Sequence, residues 1–238
     1  MKIDKFIAQT GYTSRRKACD LIEEGLVTVN GKKATFSTKY RDGDRVEVKG
    51  EILEAKNPEW LVLAYHKPKG IVCTTEKIPG NIIDAVGFSE PIYPVGRLDK
   101  ESEGLILLTN KGETIDKISN SAHEHEKEYL VTLNLPVRSQ FLRDIRAGIE
   151  ILGQTTKPCK ASVEKGTRRV MRIVLTQGLN RQIRRMCHAY NYQVLKLQRV
   201  RVLHITLGSL KPGEWRLLNP EELDTLRLSL ETEKNTAS

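Results

Sequence analysis

The stretch that decides the fold runs from residue 94 to residue 110 of this 238-residue chain and reads Pro94-Val95-Gly96-Arg97-Leu98-Asp99-Lys100-Glu101-Ser102-Glu103-Gly104-Leu105-Ile106-Leu107-Leu108-Thr109-Asn110. A polar loop punctuated by glycine leads here into an apolar strand. Catalytic side chains concentrate on loops that rigid strands hold, because such a backbone can aim a side chain into a cleft. Asp99 is therefore the first candidate for a catalytic carboxylate.

Strands and helices alternate irregularly on both sides of this loop, which predicts a mixed α+β domain. Extended runs flank the segment His66-Lys67-Pro68-Lys69-Gly70. Further predicted strands cover 105–109, 127–133, 149–152, 159–163, 169–176 and 193–207. Predicted helices cover 111–120, 137–147 and 180–190, and a last one opens at Asn219.

The N-terminal part predicts a smaller module of two helices and a small sheet. Ile3, Phe6 and Ile7 recur at helical spacing, and Ser14 offers an N-cap to a second helix. The dipeptide Asn30-Gly31 then predicts a tight hairpin turn, because both residues accept positive φ.

The charge pattern predicts a polyanionic partner. The formal net charge is +9, and residues 157–201 contain twelve Lys or Arg against the single acid Glu164. Arg15, Arg16 and Lys17 crowd the first turn of the second helix, where they oppose the helix dipole unless an anion lies nearby. Nucleic acid is the expected partner.

Other features argue against metals, disulfides and membranes. The four cysteines, at 19, 73, 159 and 187, form no close pair, which favours reduced thiols. His123 and His125 lack a third ligand at suitable spacing, so no metal is expected. No apolar run approaches the roughly 20 residues of a membrane helix, so we expect a cytoplasmic protein without a membrane partner.

The N-terminal module resembles the RNA-binding domain named after the fourth small-subunit ribosomal protein. The resemblance lies in Lys2-Ile3-Asp4-Lys5-Phe6, Ser14-Arg15-Arg16-Lys17-Ala18 and Gly25-Leu26-Val27-Thr28-Val29-Asn30-Gly31-Lys32. It implies RNA contacts through Arg15, Arg16, Lys17 and Lys32.

The rest of the chain resembles bacterial pseudouridine synthases. Gly-Arg-Leu-Asp at 96–99, followed by Ser-x-Gly-Leu and an apolar strand, is similar to their catalytic loop. Further segments match in the same order, namely 66–70, 127–131 and 177–186. The resemblance implies a mostly antiparallel mixed sheet with a central cleft, and no metal, nucleotide or other cofactor.

The same resemblance assigns the site residues. Asp99 becomes the essential aspartate, Tyr129 the aromatic that stacks on a flipped uracil, and Arg184 the cation paired with Asp99 in a dry pocket. Lys67, Lys69, Arg181 and Arg185 are expected to grip nearby phosphates, and Arg97 to hold either the loop or the RNA.

The segments 147–153, 157–160 and 178–187 are most similar to the RluF branch of this family. That similarity implies large-subunit ribosomal RNA as the substrate of a monomeric enzyme. The expected domains are 1–50 for the RNA-binding module, 51–59 for a linker, 60–230 for the catalytic domain and 231–238 for a disordered tail.

Three alternatives remain open from the residues. The first alternative is a synthase that acts on tRNA or small-subunit ribosomal RNA. The second is a non-catalytic RNA-binding or ribosome-assembly factor, and the third is a glycoside or nucleoside hydrolase. A hydrolase normally needs two carboxylates, for which Glu101 or Glu103 would supply the second.

Overall fold

The protein was analysed as a computed structural model, which describes residues 1–54, 59–119 and 124–232. The chain forms two compact units, of which the first spans Met1–Glu59 and the second begins at Trp60. The predicted α+β class is confirmed in both.

The first unit packs two helices on a small antiparallel sheet. The helices are α1 (Ile3–Gln9) and α2 (Arg15–Glu23), and the Ser14 side chain accepts a hydrogen bond from the Lys17 amide at 3.3 Å, as an N-cap does. The strands are β1 (Val27–Val29), β2 (Lys32–Lys33), β3 (Val46–Val48) and β4 (Glu51–Leu53). Within the described residues they form a sheet of the order β2-β1-β3-β4.

Two tight turns shape this sheet. Asn30 and Gly31 have φ of 51° and 77° between β1 and β2, which confirms the predicted hairpin. Lys49 and Gly50 have φ of 53° and 83° and return the chain from β3 into β4. The expected linker start at residue 51 is therefore wrong, because Gly50 closes another hairpin turn rather than ending the sheet.

The second unit is built on a mixed sheet of nine strands among its described residues. A separate hairpin joins β9 (Glu150–Ile151) to β10 (Gln154–Thr155). The strands of the large sheet are β5 (Val62–Lys67), β6 (Tyr93–Val95), β7 (Glu103–Thr109), β8 (Lys127–Leu133), β11 (Lys160–Val163), β12 (Val170–Leu175), β13 (Val194–Val202), β14 (Ile205–Thr206) and β15 (Trp215–Leu217). The main path follows the order β11-β12-β8-β13-β7-β5-β15, and β6 and β14 pair with β7 and β13.

Helices cover both faces of this sheet, which explains the uninterrupted apolar run of β7. They are α3 (Ile82–Val86), α4 (Gly112–Ser119), α5 (Ser139–Ala147), α6 (Gln182–His188) and α7 (Pro220–Thr232). Leu105 and Leu107 pack in one cluster with residues of α4 and α7, while Ile106 and Leu108 pack in another with residues of α3. A third cluster joins β8 and β12 to α5 and α6.

Several elements differ from the sequence expectation. The single strand predicted over 193–207 is two strands, because Leu203 adopts φ 52° and turns β13 back into β14. The short elements α3, β6 and β15 were not predicted, since five residues or fewer carry too little periodicity to detect. The limits of the catalytic domain and the tail stay predictions, and residues 55–58 and 233–238 lie outside the described residues.

One strand pair explains the glycine of the Ser-x-Gly-Leu motif. Among the described pairs of the large sheet, β13 and β7 run parallel, with Arg199 beside Gly104. Gly104 has φ 108°, and a Cβ at this position would lie 2.3 Å from the Arg199 carbonyl oxygen. A side chain at residue 104 is therefore incompatible with the pairing that brings these strands together.

No helix in the described part of the chain is both long and apolar enough to cross a membrane.

Candidate active site

The loop that carries Asp99 connects β6 to β7 and is fixed by backbone hydrogen bonds. The Leu98 amide donates to the Cys73 thiol at 3.4 Å, and the Ser102 amide donates to the Asp99 carbonyl at 3.0 Å. The Gly70 amide donates to the Lys100 carbonyl at 2.8 Å. Leu98 is buried and Asp99 is half-buried, so the apolar neighbour anchors the loop and leaves the carboxylate accessible.

Asp99 lines a cavity of about 480 Å³, called the active-site cavity below. Tyr129, Arg97 and Arg181 line it as well, so the structure brings together four of the residues proposed from the sequence. Its remaining wall combines apolar side chains with the half-buried Lys127 and the buried Arg199. The cavity therefore combines an aromatic face, at Tyr129, with charged groups around it.

Arg184 does not pair with Asp99 among the described residues, so the expected ion pair is wrong for this structure. Its Nη2 donates instead to the Glu101 carbonyl and to the Ser102 hydroxyl, both at 3.3 Å. These acceptors lie in the turn that follows Asp99, while the buried Nε has no hydrogen-bond partner among the described residues and lies 4.0 Å from a Glu101 carboxylate oxygen. Arg184 therefore ties α6 to the catalytic loop.

Lys67 is a second correction, because it cannot grip phosphate from its position. The side chain is fully buried, and its Nζ donates to the carbonyls of Pro68 and Ile71 at 2.9 Å each. Burial lowers the pKa of Lys67, while interactions with Cys73 and with the carboxylates of Asp99 and Glu103 oppose that shift. Lys67 thus shapes the turn beneath the loop and supplies positive charge near Asp99.

Lys127 and Arg199 were missed from the sequence as site residues. Lys127 lies two residues before Tyr129 on β8, so both side chains share one face of the strand. Arg199 lies opposite Tyr129 on β13, is 3% exposed, and donates from Nε to the Leu105 carbonyl at 2.6 Å. The alternation of side chains along β8 could have identified Lys127 from the sequence, because it lies two residues from Tyr129. Arg199 could be identified only from the pairing of β8 with β13.

The pKa of Lys127 gives a pH prediction. Burial, reinforced by the Arg199 guanidinium, lowers this pKa from 10.5 to about 8. Between those values the unfolded chain binds more protons than the folded one, so the Lys127 contribution to the unfolding free energy rises with pH from 8 to 10.5. Lys127→Met is expected to flatten that part of the pH dependence.

Denaturant unfolding at several pH values measures this effect, with tryptophan fluorescence as the signal because Trp60 and Trp215 both lie in the second unit. The control is Lys69→Met, which removes a charge from an exposed lysine. Identical slopes for wild type and Lys127→Met above pH 8 would contradict the burial argument.

The basic face predicted on α6 is confirmed. Ile183, Met186 and Cys187 are buried, while Arg181 and Arg185 are exposed. Arg181 donates to the Glu101 carboxylate at 3.0 Å. Arg185 donates from Nε and Nη2 to the backbone and side-chain oxygens of Asn180, both at 3.0 Å, which holds its guanidinium in place.

Much of the positive charge between 157 and 201 is paired with acids, most of them from outside that segment. Arg172 pairs with Glu128 and Glu164, and Arg201 pairs with Glu126 and Glu128. Lys157, Lys160 and Lys196 pair with Glu124, Glu126 and Glu103. The usable basic surface is therefore narrower than the sequence count suggested, and its exposed residues outside the ion pairs of the described residues are Lys165, Arg168, Arg169 and Arg185.

In the first unit, Arg16, Lys17 and Lys32 are exposed, as an RNA contact requires. Arg15 donates from Nε to the Asp4 carboxylate at 2.5 Å. Asp4 is buried, which by itself would raise its pKa, yet the bond from Arg15 lowers the pKa overall. Part of the unfavourable charge at the start of α2 is thus balanced within the unit.

Of the two histidines considered for a metal, His123 lies outside the described residues.

Comparison with known proteins gives matches to both units. The family described as RNA pseudouridylate synthase matches residues 61–189, and the S4 domain matches residues 1–46. Dual-specificity RNA pseudouridine synthase RluF of Escherichia coli (strain K12) is 48% identical over 225 residues, covering 94% of this chain and 77% of the relative. Ribosomal large subunit pseudouridine synthase B of Bacillus subtilis (strain 168) is 34% identical over 242 residues, covering 98% of each.

A solved structure described as the crystal structure of pseudouridylate synthase is also similar. It has a TM-score of 0.69 and 30% sequence identity, and the match covers 95% of this chain and 99% of the other.

Proposed function

Because the chain belongs to the RNA pseudouridylate synthase family and is therefore an isomerase acting on RNA, we propose that it converts particular uridines of large-subunit ribosomal RNA at the active-site cavity. The observation that carries the proposal is the placement of Asp99 and Tyr129 on one cavity. The names of the relatives, one for RNA of dual specificity and one for the ribosomal large subunit, support this choice of substrate.

The isomerisation needs a carboxylate at the sugar and room for the base to turn. The N-glycosidic bond between C1′ and N1 breaks, the uracil rotates, and a bond forms between C1′ and C5. The proton on C5 leaves and N1 gains one, so no redox partner or group donor takes part. Asp99 serves as nucleophile or electrostatic partner at the reacting carbons, and Tyr129 stacks on the base and assists removal of the C5 proton.

Several cations surround the catalytic loop and the cavity. Lys67 supplies positive charge near Asp99 from below the loop, and Lys127 and Arg199 supply it from the cavity wall. Arg184 is a positioning residue for the loop, through Glu101 and Ser102.

A uridine inside a duplex cannot reach Asp99, so the target nucleotide must leave its stack to enter the cavity. Arg97, Lys69, Arg181 and Arg185 are exposed and hold the flanking backbone. Arg15, Arg16, Lys17 and Lys32 of the first unit bind a further part of the RNA. The protein works as a monomer in the cytoplasm, where ribosomal RNA is found.

The test is to map pseudouridine in RNA from cells with and without the gene. Loss of one or more sites in large-subunit ribosomal RNA, restored by the wild-type gene, is the expected result. If all pseudouridines of ribosomal RNA remain and sites are lost from tRNA, the substrate is tRNA. The dual-specificity name of one relative favours this second substrate class. No lost site in any RNA would support the alternative of a non-catalytic assembly factor.

Phosphate contacts by α6 give a further prediction. Arg181→Ala or Arg185→Ala is expected to weaken binding to ribosomal RNA and to reduce the slope of log affinity against log salt by about one unit for each lost contact. Arg216→Ala is the control, because Arg216 lies on β15, does not line the active-site cavity, and makes two hydrogen bonds to the Glu222 carboxylate, at 2.6 and 2.7 Å. Filter binding over a series of salt concentrations measures the slope, and an unaltered slope in both α6 variants would rule out phosphate contacts there.

A further inference from the structure

A groove of about 470 Å³ lies beside α6 and is separate from the space around Asp99. It is called the hairpin groove here and is lined by Ile151, Leu152, Arg181, Arg184, Arg185, His188 and Ala189. Arg181 lines both this groove and the active-site cavity, so it stands at the border between them. No carboxylate lines the hairpin groove among the described residues, which makes it suitable for an anionic ligand.

Leu152 is unusual in this groove, because both its exposure and its backbone conformation are unfavourable for leucine. It forms, with Gly153, the two-residue turn between β9 and β10 and is 51% exposed. Its φ is 53°, in the left-handed region that leucine rarely adopts.

Other turns in the chain hold different side chains at this position, and an exposed lysine, Lys49, precedes Gly50 with φ 53°. Asn30 holds the equivalent place before Gly31 with φ 51°, and its side-chain oxygen accepts the Arg45 amide at 2.9 Å. Leu203 also has a left-handed backbone, yet it packs partly buried against a core cluster. Leu152 has no side-chain hydrogen bond like that of Asn30, and it is more exposed than Leu203. Folding alone therefore does not account for a large apolar side chain at this tip.

We propose that the hairpin groove binds the RNA strand next to the target nucleotide, with Leu152 packed against an unpaired base and with Arg181 and Arg185 holding its phosphates. This inference rests on the proposed function and extends it to a second nucleotide site. The two kinds of lining group support this proposal. The apolar tip at Leu152 suits contact with a base, and the cations of the groove suit contact with its phosphate. Arg181, at the border, connects this nucleotide to the one in the active-site cavity.

The decisive variant is Leu152→Asn, because asparagine suits the left-handed turn but cannot replace the apolar surface. The melting temperature of the second unit is expected to stay constant or rise by about 1–3 °C. Affinity for large-subunit ribosomal RNA from cells lacking the gene is expected to fall about three- to tenfold, the effect of losing one buried apolar side chain. The salt slope is expected to stay constant, because no charge is removed.

The matched control is Leu135→Asn, since Leu135 is also 51% exposed and lies in the same unit but outside the groove. Leu152→Gly is a second variant that also suits the turn and protects the test if asparagine disturbs the hairpin. Wild-type affinity in both Leu152 variants, or an equal loss in Leu135→Asn, would overturn the proposal. So would a change in self-association, measured by sedimentation, without a change in RNA affinity.

Failure of this proposal can be distinguished from failure of the proposed function. Pseudouridine formation by the wild-type protein is scored on the same RNA. If the wild type forms none, the proposed function fails, while the comparison of affinities still decides whether Leu152 contacts RNA.

Discussion

Asp99→Asn is expected to reduce pseudouridine formation by about four orders of magnitude or more while RNA affinity stays within about twofold of wild type. The amide keeps the size and much of the hydrogen bonding of the carboxylate but cannot act as a nucleophile or as an anion at the sugar. The loop should keep its shape, because its backbone bonds to Cys73, Gly70 and Ser102 do not involve the Asp99 side chain. Single-turnover assays on large-subunit ribosomal RNA measure the rate.

Glu101→Gln is the matched control in the same loop. Glu101 is 62% exposed and pairs with Arg181, and Glu103 pairs with Lys196 at 2.8 Å. Neither carboxylate lines the active-site cavity, so Glu101→Gln is expected to retain activity within about tenfold. This arrangement also weakens the hydrolase alternative, which needs a second acid beside the reacting sugar.

Two results would contradict this assignment. Retention of activity in Asp99→Asn would exclude Asp99 as the essential carboxylate. Release of free uracil by the wild-type protein, in place of pseudouridine retained in the chain, would restore the hydrolase.

Gly104→Ala is expected to lower the unfolding free energy of the second unit by about 3–5 kcal/mol. An added Cβ would lie 2.3 Å from the Arg199 carbonyl oxygen and 2.5 Å from its amide nitrogen. Both atoms belong to backbone that the parallel pairing of β13 and β7 holds in place. The strands must therefore separate, and this also moves Arg199 in the cavity wall.

Gly166→Ala separates the clash from the cost of positive φ. Gly166 has φ 77°, and a Cβ added there would meet no heavy atom within 4 Å, so only conformational strain of about 1 kcal/mol is expected. Denaturant unfolding followed by tryptophan fluorescence compares the two variants. Equal losses in both would show that the close approach to Arg199 contributes nothing.

The sequence was most informative where a short segment determines its own geometry. Ser14 caps α2, Asn30 and Gly31 form their hairpin turn, and the glycine-rich loop delivers Asp99 to the start of β7, all as expected. The alternation of β8 also places Tyr129 on the cavity face. The boundary at residue 51 was misjudged because a hairpin glycine and a linker glycine have the same local pattern.

Tertiary structure decided the electrostatics of the site. Lys67 carries the same charge as Lys69 two residues away, yet only pairing of β5 within the sheet buries it. Arg184 meets a loop more than 80 residues earlier in the chain. Arg172 and Arg201 both form ion pairs with Glu128 of β8, so their charges are less available to RNA.

The sequence by itself determined the fold class, the loop with Asp99 and the amphipathic character of α6, because turns, caps and periodicity depend on neighbouring residues. Only the tertiary structure decided which cations are buried beside Asp99, which are neutralised and which remain for RNA. Burial and ion pairing depend on distances between segments far apart in the chain, and no local pattern contains those distances.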